Sequence, residues 1–429
     1  MPGRREAADG READGRGAMR GLLGIAALLL LAWALSENRF RVSLRVVVVG
    51  LLLQWGLALL FLKFPPAKSV FLLLNDGVEA LQKATDAGTG FVFGYLGGGA
   101  LPFAETNPGA AFIFAFRALP LVLVISALAT LLFYWGVLQR IVQGFAWVLR
   151  YTVGVGGALG LGAAVHIFVG HIEAPLLIRP YLARMERGEI FALMSCGMAG
   201  IAGTVMVLYA SLLGPIIPDA LGNILIAAVI STPAALAVAA LMVPFHPDPS
   251  ASARLVMQDR PSSSMDAVAR GTGDGIVFLA NIIGMLVVLV ALVALANAAL
   301  GLLPHWGGDA VTIQRVFALA FQPVMWLIGI PEGETATAAQ LMGTKTVLNE
   351  FIAYVDFAHL PEGALSPQSR LIMTYALCGF ANFGSLGILI GGMGAMVPER
   401  KQEIVSLGLR SILSGTIATC MSGAVVGML

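Results

Sequence analysis

The chain has 429 residues, of which 58% are hydrophobic and 12% charged, with a formal net charge of +1 and a mean hydropathy of +0.86. For this length the composition excludes an ordinary soluble globule and indicates a polytopic helical membrane protein. The balanced charge gives no sign of a nucleic-acid partner. The three cysteines, Cys196, Cys378 and Cys420, lie in apolar segments without metal-ligand spacing, so no metal or cofactor is expected.

Residues 1–20 mix Arg4, Arg5, Arg11, Arg16 and Arg20 with acids and read as a disordered tail, with Met19 a second possible start. The first block, 21–111, holds span one (21–36), span two (43–62) and an interfacial helix near 67–85. Arg39, Arg41 and Arg45 place the loop between the spans in the cytoplasm. The second block, 112–244, holds span three (112–137), an apolar hairpin (154–178), span four (189–213) and span five (221–244). A polar loop, 245–275, carries Arg254, Arg260 and Arg270 and is expected on the cytoplasmic side. The last block, 276–429, holds span six (276–301), a second hairpin within 312–355, span seven (370–396) and span eight (404–429). Both termini then fall outside, against the arginines of the tail unless translation starts at Met19.

The stretch 163–180, AAVHIFVGHIEAPLLIRP, organises this plan. A carboxylate in hydrocarbon costs ~2.5–3.5 kcal/mol on insertion scales, so Glu173 must face water, a ligand or protein. Gly170 and Pro175 bracket it and disfavour one continuous helix. A re-entrant hairpin that stops partway through the bilayer, with His171 and Glu173 at its tip, accounts for both features. Basic residues on both flanks (Arg140 and Arg150, then Arg179, Arg184 and Arg187) send it in and out on one side. The second half repeats the first with opposite polarity, and the glycine-rich breaks GMAGIAG (197–203) and GFANFG (379–384) fall in matching spans. The fold class is therefore an all-α polytopic membrane protein with eight transmembrane helices, two re-entrant hairpins in inverted repeats and an interfacial helix. Inverted repeats with interrupted helices point to a secondary transporter with its site at the repeat interface.

HIFVGHIEAPLLIRPYL, GIAGTVM, TKTVLNEFIAYVDF and GFANFGSLGIL resemble the concentrative nucleoside transporter family, over the whole chain after residue 20. The resemblance implies a homotrimer in the inner membrane that carries nucleosides by alternating access. It places Glu173 beside the substrate, Asn349 and Glu350 in hairpin two with Glu350 on the ribose hydroxyls, Asn382 and Ser385 as further ribose contacts and Phe380 beside the nucleoside. A carboxylate in a low-dielectric cavity is a strong acceptor for two adjacent hydroxyls, and an amide both donates and accepts. Each residue also has a structural alternative: Asn382 and Ser385 as backbone partners in a kinked helix, Phe380 as core, Glu350 paired with Lys345 on one helix, and Glu173 paired with Arg179.

The chain departs from the family at two places. His171 and Ile172 stand where sodium-coupled members have the Gln and Thr that meet the base. His166 and Gly200 stand where the family's sodium site has an Asn side chain and a hydroxyl, leaving backbone carbonyls near Val169 and Ile201. Sodium prefers hard oxygen ligands and imidazole is a poor substitute, so a proton, held by His166 with Glu173, is the expected coupling ion and sodium the lesser alternative. An intramembrane aspartyl protease, raised by GTGD (271–274), needs a second aspartate that spans one to five do not hold at their centres. Composition leaves a passive channel or receptor open.

Overall fold

In the computed structural model, which describes residues 3–104, 111–246, 261–305 and 310–429, every regular element among the described residues is helical. α1 (Gly3–Ala34) begins inside the segment expected as a disordered tail, where Ala, Glu and Arg, all good helix formers, are frequent. Its apolar part is Met19–Ala34. α2 (Leu44–Lys63) stops before Pro65 and Pro66, which instead open α3 (Pro65–Phe93), the position where a missing N–H costs nothing. α4 (Phe114–Arg117) and α5 (Leu121–Tyr134) form span three.

α6 (Val137–Tyr151) carries Arg140 and Arg150, the basic residues before the hairpin. Val142 and Leu149, two turns apart, are buried while both arginines point outward, so this is an amphipathic surface helix. The first hairpin segment follows as α7 (Gly157–Val165), α8 (Glu173–Leu177) and α9 (Arg179–Leu182). Pro175 sits in the first turn of α8, where helices tolerate it. Span four is two helices, α10 (Arg187–Ala199) and α11 (Gly203–Leu213), and span five is α12 (Ala220–Met242).

α13 (Ser264–Leu300) starts within the polar segment 245–275, whose stretch 247–260, including Arg254 and Arg260, lies outside the described residues. The expected second hairpin, 312–355, resolves differently. α14 (Ile313–Leu327) is a separate helix lying along α15 (Thr335–Val347), and the sharp break comes at Leu348 and Asn349, before α16 (Glu350–Ala358). Lys345 and Glu350 are therefore on different helices. Span seven divides into α17 (Pro367–Leu377) and α18 (Phe383–Met396), and α19 (Lys401–Gly427) closes the chain.

Among the described residues, five helical stretches are long and apolar enough to cross a membrane: Leu44–Lys63, Phe114–Tyr134, Ala220–Met242, Ser264–Leu300 and Pro398–Gly427. The pieces α10, α11, α17 and α18 are each too short to span alone, at 1.5 Å per residue against a core of about 30 Å. α12 is the centre of the molecule. Its apolar residues run all round rather than in a stripe, and nearly every side chain is buried against α2, α10, α11 and α19. Small residues set the approach of these helices. A Cβ at Gly50 of α2 would stand 2.9 Å from the Pro233 carbonyl of α12, and one at Gly415 of α19 would stand 2.5 Å from Met198 Cβ.

α13 is different: apolar but almost wholly uncovered, it packs chiefly on α5. Gly271 and Gly275, one turn apart, face that helix, and a Cβ at Gly271 would meet Ala127 Cα and Ser126 O at 2.7 Å. The GTGD sequence is thus a helix-packing surface. At one end of the core Glu37, in the α1–α2 loop, pairs with Arg187 at 2.9 Å and Arg410 at 2.7 Å. The hydrogen bond from Arg187 holds the Glu37 carboxyl below its ordinary range against the opposing pull of burial.

Candidate functional site

Four helix breaks converge in the core: 166–172 before α8, 200–202 before α11, 348–349 before α16 and 378–382 before α18. Each leaves backbone groups without intrahelical partners, and the breaks satisfy one another. Phe380 N–H donates to Gly200 O at 3.1 Å, and Gly203 N–H donates to Phe168 O at 3.0 Å. Gly379 lies against the Met198 and Ala199 carbonyls, 2.8 and 3.0 Å from where its Cβ would be, so no side chain fits there. Similarly, a Cβ at Gly203 would stand 2.6 Å from Phe168 O.

Glu350 is the polar centre of this arrangement and is buried. Tyr209 Oη donates to its Oε1 at 2.7 Å and Asn382 Nδ2 to its Oε2 at 2.8 Å. Asn382 is also the N-cap of α18, its Oδ1 accepting from Ser385 N–H at 2.7 Å, so one amide both starts the helix and aims at the carboxylate. Asn349 does the same for α16 by accepting from Ile352 N–H at 2.9 Å. The structural alternative, a Lys345–Glu350 ion pair, does not form. Lys345 Nζ instead donates to Ala376 O at 2.8 Å and Thr419 Oγ1 at 3.3 Å.

A second cluster is built from imidazoles. The His171 ring lies 4.7 Å from that of Phe380, tilted by 59°. His166 and His171 both border Gly197, where an added Cβ would meet His166 Cε1 and His171 Cβ at 3.1 Å each. Both rings are buried, and both Nε2 atoms lack a hydrogen-bond partner. The expected pairing of His166 with Glu173 is not formed: the Glu173 carboxylate turns back over Gly170, beside the backbone N–H groups of Ile172 and Glu173, and remains accessible. Nor does Arg179 pair with Glu173, since its Nε reaches Met396 O at 3.4 Å. Ile172 packs on Gly392 of α18, Ile201 is buried, Val169 is half-buried, and Gly200 caps α10 beside the His166 carbonyl.

The structure thus brings Glu350, Asn382, Ser385, Phe380 and His171 into one neighbourhood, with His166, Gly200 and Ile201 behind them. Tyr209 was missed. Its signal is a lone phenol in the mostly apolar α11, a side chain whose hydroxyl needs a partner once buried. A cavity of about 820 Å³ lies away from this site, between Phe61 of α2, Asn223 of α12 and Arg370 of α17.

The long apolar helices define a multi-pass membrane protein, with a core of broken helices around one buried carboxylate. Family models match in succession along the chain: Na+ dependent nucleoside transporter N-terminus over residues 23–96, the nucleoside recognition Gate over 115–216, and Na+ dependent nucleoside transporter C-terminus over 223–427. An uncharacterized transporter of Haemophilus influenzae is 36% identical over 95% of this chain and 96% of its own length. Nucleoside permease NupC of Helicobacter pylori is 32% identical over 95% of this chain and 96% of its own. The structure of CNTnw in an inward-facing substrate-bound state superposes with a TM-score of 0.86 at 32% identity, covering 96% of this chain and 97% of that one. The chain belongs to the concentrative nucleoside transporter family, and is a transporter rather than an enzyme.

Proposed function

We propose that the protein is a secondary active symporter that imports nucleosides across the inner membrane by alternating access, coupled to protons. The observation that carries this reading is the buried Glu350 carboxylate, held by Tyr209 and Asn382 where four helix breaks meet. Each carboxylate oxygen has a second lone pair, so two ribose hydroxyls can donate to Glu350 without displacing its present partners. Asn382 and Ser385 offer further sugar contacts and Phe380 an aromatic face. On this reading α7–α8 and α15–α16 are the two re-entrant hairpins. The order long helix, amphipathic helix, hairpin, broken helix, long helix, followed by α5–α12 and again by α13–α19, supports inverted repeats. The uncovered apolar face of α13 suits lipid or further copies, as in a homotrimer. Counterflow of labelled uridine in proteoliposomes tests the carrier: trans-stimulated uptake is expected, and uptake insensitive to internal unlabelled uridine, as a channel gives, would overturn it.

The base is read by His171 and Ile172 at the tip of the first hairpin. His171 presents a buried, unpartnered Nε2 beside Phe380, whereas Ile172 offers only apolar contact. Replacing both by the amide and hydroxyl of the related motif, His171→Gln with Ile172→Thr, is expected to change the uridine-to-adenosine uptake ratio by several-fold. An unchanged ratio would place base recognition elsewhere.

Proton coupling is supported by the donor set. The coupling-site positions His166, Val169, Gly200 and Ile201 contribute imidazole and backbone only, a poor sodium cage. Imidazole is the side chain suited to proton exchange near neutral pH. With Glu173 turned away, the neighbour His166 shares Gly197 with is His171, so the proton site is drawn around the two imidazoles.

A further inference from the structure

Lys345 has no exposed surface, lies in the last turn of α15 and has no carboxylate within 4.0 Å among the described residues. A buried ammonium without an ion-pair partner is expensive, so what it does hold is informative. Its Nζ donates to the carbonyl of Ala376, next to last in α17, and to Thr419 Oγ1 of α19. The last carbonyls of a helix lack intrahelical donors and carry the negative end of its dipole. A second carbonyl of the same turn, Thr374 O, accepts from Tyr354 Oη of α16 at 2.8 Å. Both helices around the break at 348–349 thus reach across to cap the end of α17.

That end leads directly into the segment carrying Phe380 and Asn382. α15–α16 and the α17–α18 break are therefore joined at three points, Lys345 to Ala376, Tyr354 to Thr374 and Glu350 to Asn382; Lys345 and Glu350 are only five positions apart in the chain, and Ala376 and Asn382 six. We infer that Lys345 is a positioning residue for the sugar subsite: by fixing the end of α17 it sets where Asn382 stands relative to Glu350. The inference rests on the proposed reading of Glu350 and Asn382 as the ribose contacts. An apolar side chain at 345 leaves the Ala376 carbonyl and the Thr419 hydroxyl without their donor, and the end of α17 is free to shift away from α15.

The test separates positioning from mere stability by comparing ligands that differ only in the sugar. Binding of uridine and 2′-deoxyuridine is measured on purified wild type, Lys345→Met, Lys345→Gln, Asn382→Ala and the double variant Lys345→Met/Asn382→Ala. Lys345→Met should weaken uridine at least tenfold and 2′-deoxyuridine much less. Lys345→Gln, which keeps a donor and is the milder change should Lys345→Met not insert, should fall between. The double variant should be no worse than Asn382→Ala alone. Equal weakening of both ligands, or additive losses in the double variant, would overturn the inference. If Asn382→Ala itself leaves the ratio of the two ligands unchanged, the ribose reading fails first.

Discussion

Glu350→Gln and Asn382→Ala are each expected to reduce nucleoside uptake at least tenfold while the protein still inserts. In Glu350→Gln the amide oxygen can still accept from Asn382, while the Tyr209 hydroxyl can accept from the new NH2 group only by giving up the acceptor of its own proton. What is lost is the spare acceptor capacity that ribose hydroxyls need. Asn382→Ala removes the α18 N-cap, a loss of about 1 kcal/mol, and leaves Glu350 Oε2 without its donor, at about 1–3 kcal/mol more. As 1.4 kcal/mol corresponds to a factor of ten, the two losses in Asn382→Ala together are enough for the expected reduction. Uptake per inserted molecule, with membrane insertion scored separately, checks both. Wild-type affinity in the two variants would remove Glu350 and Asn382 from the site.

The second large effect concerns coupling. His166→Ala should abolish accumulation driven by a proton gradient yet preserve counterflow, because His166 lies behind the substrate contacts and next to Gly197 and His171. Accumulation that survives in His166→Ala would move the proton to His171, Glu173 or Glu350. The parallel variant His171→Ala distinguishes the first of these, since it should impair coupling and base selectivity together.

Much of this site is legible in the sequence because a membrane core makes polar residues conspicuous. Glu173, Glu350, Asn382 and the glycine clusters stand out in apolar runs, and each marks a helix break in the structure. Packing across the core is less legible. Tyr209 is far from Glu350 in the chain, and no local pattern in α11 announces the bond between them. The extent of the second hairpin is less legible, because α14 and α15 are both mixed in polarity and composition does not separate α14 from the helix pair around the break at Leu348 and Asn349. Lys345 and Glu350 are close enough in the chain to look like partners on one helix, but the intervening break sends each to a different acceptor or donor. α6 is not conspicuous in the sequence because its period is set by only a few buried apolar residues, Val142 and Leu149.

Accumulation of labelled uridine in proteoliposomes tests the central claim most directly. With an inward proton gradient and no sodium on either side, internal uridine should rise above the external concentration and collapse to equilibrium when a protonophore is added. Accumulation that requires a sodium gradient, or that is indifferent to the protonophore, would contradict proton-coupled nucleoside import.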